Sequence, residues 1–449
     1  MSRAKIRVLS ALTIMLFLGL SQSLTAQFRG ARDPGVRGGP AGAGDPLPGL
    51  TTEQAGMFTT GLDDFSEEEK VADGVGPRFN FVGCAGCHAQ PAIGGTSPAV
   101  NPLFRVNDPN DLNFASNVIP SFITRGGPIR EARLQFNSDG SRDGGVHALF
   151  VISGHPNAGG CNIRQEDFET QVRNRNIIFR IPSPVFGAGL IESITDSAIL
   201  ANLNSNSFTK SNFGISGRVN RNGNDGRVAR FGWKAQNPSL LVFSAEAYNV
   251  EMGITNEGFP IERDETPSCQ FAGVPNDVTA SVGQINAIDN FGNFQRFLAP
   301  PIPVTTGFGN VSGNSIFRGR QQFSNLGCAL CHTPSLQTNP KASVGVLAGK
   351  TAALFSDLAL HQMGPGLADD ILQGAARGDE FRTAPLWGLG KRIFFLHDGR
   401  TDDLDTAIKA HRSDGNLRFG PSEANKVIDN YNRLSESDQQ DLLNFLRSL

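Results

Sequence analysis

Two five-residue segments hold the side chains best suited to chemistry. They are Cys84-Ala85-Gly86-Cys87-His88 and Cys328-Ala329-Leu330-Cys331-His332, which share the pattern C-x-x-C-H. This pattern is the attachment signal for c-type haem, in which the two thiols form thioethers with the macrocycle and the imidazole binds the iron. The sequence therefore predicts two haems c, attached through Cys84, Cys87, Cys328 and Cys331, with His88 and His332 as axial ligands.

The same cysteine pairs could instead bind zinc or act as redox-active thiols. A shared zinc site would need ligands about 240 residues apart, whereas the cysteine pairs of zinc sites are usually about 15 to 20 residues apart. Neither pair opens a βαβ pattern, which a thioredoxin-like redox pair would require. The histidine in the fifth place of both segments favours haem.

The amino terminus has the features of an export signal. Three basic residues within the first seven precede an uncharged apolar run over residues 8–20, and small or polar residues lead to Ala26. This pattern predicts a cleaved signal peptide over residues 1–26 and a periplasmic or secreted protein. The apolar run is shorter than the ~20 residues of a membrane span. We therefore expect no stable membrane insertion after cleavage, with a retained anchor as the alternative.

Two cysteines remain outside the haem segments, Cys161 and Cys269. In an oxidising compartment, a disulfide is the simplest use of two such residues. Two buried free thiols are the alternative.

Composition limits the partners and the fold. Cleavage would remove three of the 40 basic residues and none of the 43 acidic ones, which leaves a net charge of −6. We therefore expect no nucleic-acid partner, while a mildly acidic surface suits a basic electron-transfer protein. The 52 glycines and 26 prolines indicate long stretches of loop.

A helical pattern precedes each haem segment. One begins with a threonine cap at Thr51 or Thr52, the other covers about 312–326, and a capped helix from Ser435 closes the chain. These patterns predict a mainly α fold with extensive loops and two cytochrome c-like domains, the first with a large insertion that contains short strands. The predicted divisions are a signal peptide over 1–26, a flexible lead over 27–50, a first haem domain over 51–297, a Pro-rich linker over 298–304 and a second haem domain over 305–449.

The sixth iron ligand decides what each haem can do, because a methionine there suits electron transfer and an open position can bind peroxide. Met363 lies 31 residues after His332 in a turn-rich loop, and we predict that it ligates the second haem. The alternatives are that Met363 only packs in a core, or that the ligand is His361, His397 or His411.

The first haem has no early ligand of this kind. No histidine or methionine occurs over residues 89–146, so a protein ligand would have to be His147, His155 or Met252. Residues of this kind are more often ordinary surface or satisfied polar residues than iron ligands, and the first iron can also lack a protein ligand in this position. We expect the first haem to be the reactive one.

Seven further segments resemble the di-haem oxidoreductase family, whose members are described as peroxidases and as thiol-oxidoreductase-like proteins. In chain order they are 127–133 (GPIREAR), 180–192 (RIPSPVFGAGLIE), 230–235 (RFGWKA), 251–255 (EMGIT), 356–369 (SDLALHQMGPGLAD), 382–390 (RTAPLWGLG) and 394–400 (FFLHDGR). The resemblance covers most of the chain from about residue 51 to residue 449.

The resemblance implies a relationship to bacterial di-haem cytochrome c peroxidases, and to di-haem enzymes that oxidise protein side chains or cleave polyisoprene. In the peroxidases, the segment similar to 394–400 carries an axial methionine immediately before its histidine, whereas this chain has Leu396 before His397. We expect Met363, in the neighbouring loop, to replace that ligand. The resemblance also implies a bound Ca²⁺. We expect a redox partner protein such as a small cytochrome c.

Peroxide cleavage needs an acid–base group and a cation near the distal oxygen. Glu131 and Arg130 are the candidates, with Arg133 as a second choice and a salt-bridged surface as the alternative. Trp233 and Trp387 are the only tryptophans, and either could relay electrons between the haems or simply pack in the core.

The expected function is that of a periplasmic di-haem c-type oxidoreductase, peroxidase-like, with one electron-transfer haem and one haem that reacts with peroxide or another small oxidant. Two other functions stay open. One is a non-enzymatic di-haem electron carrier, and the other is an oxygenase or side-chain oxidase on the same scaffold.

Overall fold

The computed structural model describes residues 30–278 and 285–449, and the predicted signal peptide lies outside the described residues. The described part is mainly α-helical with extensive loops, as the sequence predicts. Its helices are α1 Thr52–Ser66, α2 Cys84–Cys87, α3 Phe168–Arg173, α4 Ala188–Glu192, α5 Asp196–Asn204, α6 Ser207–Phe213, α7 Leu240–Met252, α8 Ala287–Phe297, α9 Gly313–Leu326, α10 Leu404–Lys409, α11 Asn425–Asn432 and α12 Glu436–Ser448.

The strands are short, and each pairs with its neighbours in antiparallel fashion. They are β1 Arg78–Phe79, β2 Glu131–Leu134, β3 Val146–His147, β4 Phe150–Val151, β5 Ile177–Arg180, β6 Asn220–Arg221, β7 Val228–Ala229, β8 Gly307–Phe308, β9 Val311–Ser312, β10 Leu336–Gln337, β11 Thr351–Ala352, β12 Leu360–Gln362 and β13 Glu380–Arg382. Strands β3, β2 and β5 form a three-stranded sheet, and the other pairs are two-stranded. This sheet lies between the two haem segments in the sequence.

None of the helices in residues 30–278 and 285–449 has both the length and the apolar character needed to cross a membrane.

Helices α1 and α8 cross closely at Gly61. The rings of Phe58 and Phe65 on α1 lie 5.5 and 4.8 Å from the ring of Phe294 on α8. A methyl group at Gly61 would collide with the carbonyl oxygen of Asn290 and would lie 2.9 Å from Cβ of Phe294. The close approach of the two helices therefore requires glycine at this position.

Helices α9 and α12 cross in the same way at Gly319, where an added methyl group would collide with the carbonyl oxygen of Asp441. The ring of Phe323 on α9 packs edge-on against Phe445 on α12, with their centroids 5.5 Å apart. A glycine-mediated helix crossing thus involves the helix that precedes each C-x-x-C-H segment.

Replacing Gly61 by alanine should lower the free energy of unfolding by about 1–3 kcal/mol, because the methyl group forces the two helices apart. Gly56 on the same helix is a matched control, since an added Cβ there meets nothing within 4 Å. Gly56→Ala should instead be neutral or stabilising, by up to about 1 kcal/mol. Urea unfolding followed by circular dichroism compares them, and equal stability of the two variants would mean that α1 and α8 do not pack this closely.

Residues 30–50 pack onto distant parts of the chain. The guanidinium group of Arg447 donates two hydrogen bonds of 2.6 Å to the carboxylate of Asp33, and the backbone nitrogen of Leu404 donates another of 2.8 Å. The backbone nitrogen of Leu47 donates to the carbonyl oxygen of Phe297. The sequence prediction of a flexible lead does not account for these contacts.

The two remaining cysteines form the predicted disulfide. It joins Cys161 and Cys269, which are 108 residues apart in the sequence. Both cysteines are buried within the larger hydrophobic core.

Candidate functional site

The second C-x-x-C-H segment lies in the wall of a large cavity. Cys328, Cys331 and His332 line it, as do β13 and the segment 394–397. The rest of the wall is mostly apolar and includes Phe323, Leu367, Phe381, Leu389, Leu404, Val427, Leu442 and Leu446. A cavity of this character suits a large apolar cofactor.

The imidazole of His332 is oriented by the backbone. Its Nδ1 donates a 3.0 Å hydrogen bond to the carbonyl oxygen of Phe355, and Nε2 forms no hydrogen bond within residues 30–278 and 285–449. Burial, together with the nearby ring of His411, lowers the pKa of His332 to about 4. The ring is therefore neutral, which is the form that binds a metal ion, and the backbone hydrogen bond fixes its orientation.

The first segment repeats this arrangement. Nδ1 of His88 donates a 2.9 Å hydrogen bond to the carbonyl oxygen of Gly95, and burial lowers the pKa of His88. The ring lies 5.9 Å from the ring of Phe65 on α1, as that of His332 lies 6.4 Å from Phe323 on α9. Both sets of residues thus fit a covalent haem: two thiols, and a neutral imidazole with Nε2 available for iron.

Met363 follows β12 and lines the cavity of the second segment, as the ligand prediction requires. His361 lines the same cavity, but both of its ring nitrogens are engaged. Nε2 lies 2.9 Å from a carboxylate oxygen of Asp357, and Nδ1 lies 2.7 Å from one of Glu423. Cys331, Asp357 and His361 also form a cluster with metal-ligating atoms, although a thioether at Cys331 would leave that cluster without a thiolate.

Two other histidines face this cavity. Nδ1 of His411 donates a 2.8 Å hydrogen bond to the carbonyl oxygen of Ala407, and its Nε2 has no hydrogen-bond partner in the part of the chain that the structure describes. The ring of His397 stacks on Phe381 with the centroids 4.4 Å apart. Leu396 also lines the cavity. The geometry therefore brings Met363, His397 and His411 together around the second segment and engages His361 elsewhere.

The structure separates Arg130 from Glu131. The guanidinium group of Arg130 donates to the carbonyl oxygens of Phe122 and Asp398 and lies over the ring of Phe179. Glu131 begins β2, and neighbouring residues of a strand point to opposite faces. Arg133, two residues further along, is therefore on the side of Glu131, and its Nε forms an ion pair with that carboxylate.

Glu131 has a second carboxyl group beside it. The carboxyl groups of Glu131 and Glu251 lie close enough for each to shift the pKa of the other. Nδ2 of Asn80 donates a 2.7 Å hydrogen bond to Glu251. Burial, and after it the charge of Glu251, raises the pKa of the Cys87 thiol. The backbone nitrogen of Asn80, four residues before Cys84, also donates a 2.7 Å hydrogen bond to the carbonyl oxygen of Glu251, so Glu251 lies near the first haem segment.

Burial and the neighbouring Glu131 raise the pKa of Glu251 to about 8. Burial also opposes ionisation of Glu131, but the charges of Arg133 and Arg180 outweigh it and hold the pKa of Glu131 below its usual value. At neutral pH the pair thus holds one proton, mainly on Glu251.

The three candidate ligands for the first iron that lie far from His88 in the sequence are His147, His155 and Met252, and each of them contacts other groups. Nε2 of His147 lies 2.8 Å from a carboxylate oxygen of Asp143. His155 stacks on Phe114 with the ring centroids 4.4 Å apart, and its Nδ1 accepts a hydrogen bond from a backbone nitrogen. Met252 is buried in the core against which Cys84 and Cys87 also pack.

Both tryptophans line a smaller cavity that adjoins the cavity of the second segment, but only Trp233 lines the larger one as well. Trp233 lines both the cavity of the second segment and an adjoining smaller one, and its Nε1 donates a 3.0 Å hydrogen bond to the carbonyl oxygen of Ile181. Its ring lies 6.3 Å from that of His397. Trp387 is buried, lines the smaller cavity, and packs against Gly187.

Sequence reasoning missed Glu251 as a site residue, although it begins the quoted segment 251–255. It also missed Arg382 and Arg392, which line the cavity of the second segment. The signal available for all three was a charged residue in or beside a segment that resembles the family. Their burial and partners depend on tertiary packing.

We expect each C-x-x-C-H segment to hold one haem covalently. Protein matured in a host that attaches haem c should keep two haems per chain after denaturation, since thioethers survive unfolding and axial bonds do not. Replacing Cys84 and Cys87 by alanine should remove one haem, and replacing Cys328 and Cys331 the other. Mass spectrometry of the denatured chains measures this, and fewer than two haems on the fully matured parent would contradict it.

Residues 155–449 match the family model described as "Di-haem oxidoreductase, putative peroxidase". The match spans more than half of the chain, so the protein belongs to the di-haem oxidoreductase family. This confirms the family that the sequence segments resemble, and membership implies two haems. No curated protein matches the chain.

Three solved structures are similar to the chain at low identity. Hydrazine synthase from Kuenenia stuttgartiensis is 17% identical with a TM-score of 0.23, over 36% of this chain and 55% of that one. The diheme peroxidase BthA from Burkholderia thailandensis E264 is 14% identical with a TM-score of 0.29, over 49% of this chain and 65% of that one. A MauG-like protein associated with microbial copper homeostasis is 17% identical with a TM-score of 0.28, over 52% of this chain and 78% of that one. The similarity thus spans less than two thirds of the first two relatives.

Proposed function

We propose that the protein is an exported di-haem c-type peroxidase. The haem on Cys84 and Cys87 is the reactive one, and the haem on Cys328 and Cys331 receives and stores electrons. The observation that carries this proposal is the buried pair of carboxyl groups, Glu131 and Glu251, of which Glu251 lies near the first segment. The Cys161–Cys269 disulfide supports an oxidising compartment such as the periplasm.

The two helix crossings support two cytochrome c-like units. Helices α1 and α8 pack together around the first segment, and α9 and α12 around the second. The unit boundaries proposed from the sequence, 51–297 and 305–449, place one crossing in each. The sheet of β3, β2 and β5 then belongs to the insertion of the first unit.

Reduction of hydrogen peroxide consumes two electrons and two protons, breaks the O–O bond and yields two waters. A haem held by Cys84, Cys87 and His88 would supply an iron at which peroxide could bind. Glu131, ionised at neutral pH, would accept a proton from one peroxide oxygen, and Glu251 would donate its proton to the other. The guanidinium group of Arg133 stabilises the negative charge that develops there.

Cys328, Cys331, His332 and Met363 would hold the second haem, which would supply a site able to accept electrons from a small cytochrome c and store them. Trp233 is the proposed relay for electrons leaving the second haem, because it lines the cavity of the second segment and the adjoining smaller cavity and lies near His397. Trp387 packs against Gly187 in the smaller cavity and serves the core.

The test is peroxide turnover with a reduced small cytochrome c as electron donor. The holoprotein should oxidise two donor molecules for each peroxide consumed. The matched control is the Cys84/Cys87 double alanine variant, which keeps the second haem and should lose turnover while still accepting electrons from the donor. If the holoprotein exchanges electrons with the donor but never consumes peroxide, the protein is an electron carrier. If it oxidises a substrate only when dioxygen is present, the protein is an oxygenase.

A further inference from the structure

Two arginines form part of the wall of the cavity beside Cys328 and His332. Arg382 ends β13 and is 8% exposed. Arg392 lies ten residues further along the chain and lines the same cavity. Both also line the adjoining cavity that contains Trp233 and Trp387.

The two guanidinium groups bind only backbone oxygens in the described residues. Nε of Arg382 donates a 2.9 Å hydrogen bond to the carbonyl oxygen of Gly232. One terminal nitrogen of Arg392 donates a 2.9 Å hydrogen bond to that of Pro385. Among residues 30–278 and 285–449, no carboxylate forms an ion pair with either guanidinium group.

The charges of the two arginines also act on each other. Burial lowers the pKa of each to about 10, and the charge of Arg392 contributes to the lowered pKa of Arg382. Arg180 shows how a buried arginine is usually neutralised, because its guanidinium group forms a 2.7 Å ion pair with Asp369. Two neighbouring buried cations without such a partner are costly unless an anion binds between them.

We propose that Arg382 and Arg392 bind the propionate carboxylates of the second haem. A haem attached at Cys328 and Cys331 would bring two carboxylates to this cavity. Arginine matches a carboxylate with parallel N–H donors, and each such pair replaces the water lost on burial. The inference rests on haem attachment to the second segment and is independent of peroxidase activity.

The arginines should also set the redox potential of this haem. Reduction adds one negative charge to the iron and macrocycle, and positive charges held nearby in a low-dielectric cavity favour that state. The pair therefore keeps the potential of the second haem high, as an electron-accepting haem requires.

The experiment measures the potential of the second haem by spectroelectrochemical titration in the Cys84/Cys87 double alanine variant, which isolates it. Arg382→Gln and Arg392→Gln should each lower the equilibrium constant for one-electron reduction by about tenfold or more, which is about 59 mV. The lysine variants at both positions keep the charge and should restore most of the potential. Arg320→Gln, at an exposed position on α9, is the control and should leave the potential unchanged.

An unchanged potential in both glutamine variants, with full haem content, would overturn the proposal. A shift confined to the first haem, measured in the Cys328/Cys331 double alanine variant, would also overturn it and assign the arginines to the other cofactor. If a glutamine variant fails to fold, the methionine variant at the same position takes its place, because it also removes the charge, whereas a purely structural hydrogen bond to Gly232 or Pro385 predicts no change in potential. Peroxide turnover plays no part in these readouts, so the proposed function can fail separately.

Discussion

Glu131→Gln should slow the reaction of peroxide with the first haem by about 10²–10⁴-fold, the usual contribution of a positioned acid–base group. The amide keeps the size of the side chain but cannot accept a proton. It also leaves Arg133 without the carboxylate that now pairs with it. Stopped-flow measurement of peroxide consumption by the prereduced holoprotein gives the rate.

Arg130→Gln is the matched control for this variant. It removes a charge next to Glu131 in the sequence, but its guanidinium group faces Phe122 and Asp398 on the other side of β2. The variant should keep most of the parent rate. Similar losses in both variants would mean that the effect is structural, and a parent rate in Glu131→Gln would remove this residue from the reaction.

The carboxyl pair of Glu131 and Glu251 also predicts that the rate of the peroxide reaction depends on pH. The pKa of Glu251 is raised to about 8, so Glu251 keeps its proton below this pH and loses it above. The peroxide rate should therefore fall as the pH rises through about 8. Glu251→Gln cannot ionise, so its lower rate should no longer fall over this range.

Met363→Ala should convert the second haem from low spin to high spin and lower its potential. Loss of a thioether ligand leaves the iron five-coordinate or water-bound, and it disfavours the reduced state. Absorption and electron paramagnetic resonance spectra of the Cys84/Cys87 double alanine variant, with and without Met363→Ala, show the change on one haem alone.

An unchanged spectrum and potential would mean that Met363 only packs in the cavity wall. His411 would then be the next ligand to test, because its Nε2 is free and it lines the same cavity. His361 is a poor substitute, since Asp357 and Glu423 engage both of its nitrogens. His411→Ala in the same background separates the two possibilities.

The parts of the fold that the sequence predicts correctly depend on short-range patterns. The cap at Thr51 is present, with Gln54 bonding back to it, and Ser435 caps the last helix. The disulfide follows from counting the two cysteines left over. The family follows from several segments in a fixed order, and it is confirmed over residues 155–449.

The rest depends on contacts that no local pattern encodes. Glu131 and Glu251 are 120 residues apart, and only the packing of β2 near the end of α7 brings them together. Strand β2 has four residues, too few to show from alternation alone that Arg133 rather than Arg130 shares the side of Glu131. Arg382 and Arg392 carry no sequence sign that they lack carboxylate partners.

The central claim is that the first haem is open and the second is closed. Cyanide titration of the two single-haem proteins tests it most directly, with spin state read by absorption and electron paramagnetic resonance. The Cys328/Cys331 double alanine variant, which keeps the haem on His88, should be high spin and bind cyanide, while the Cys84/Cys87 variant should stay low spin and bind none. A first haem that is low spin and inert to cyanide in both oxidation states would contradict the account, and it would mean that His147, His155 or Met252 closes that iron.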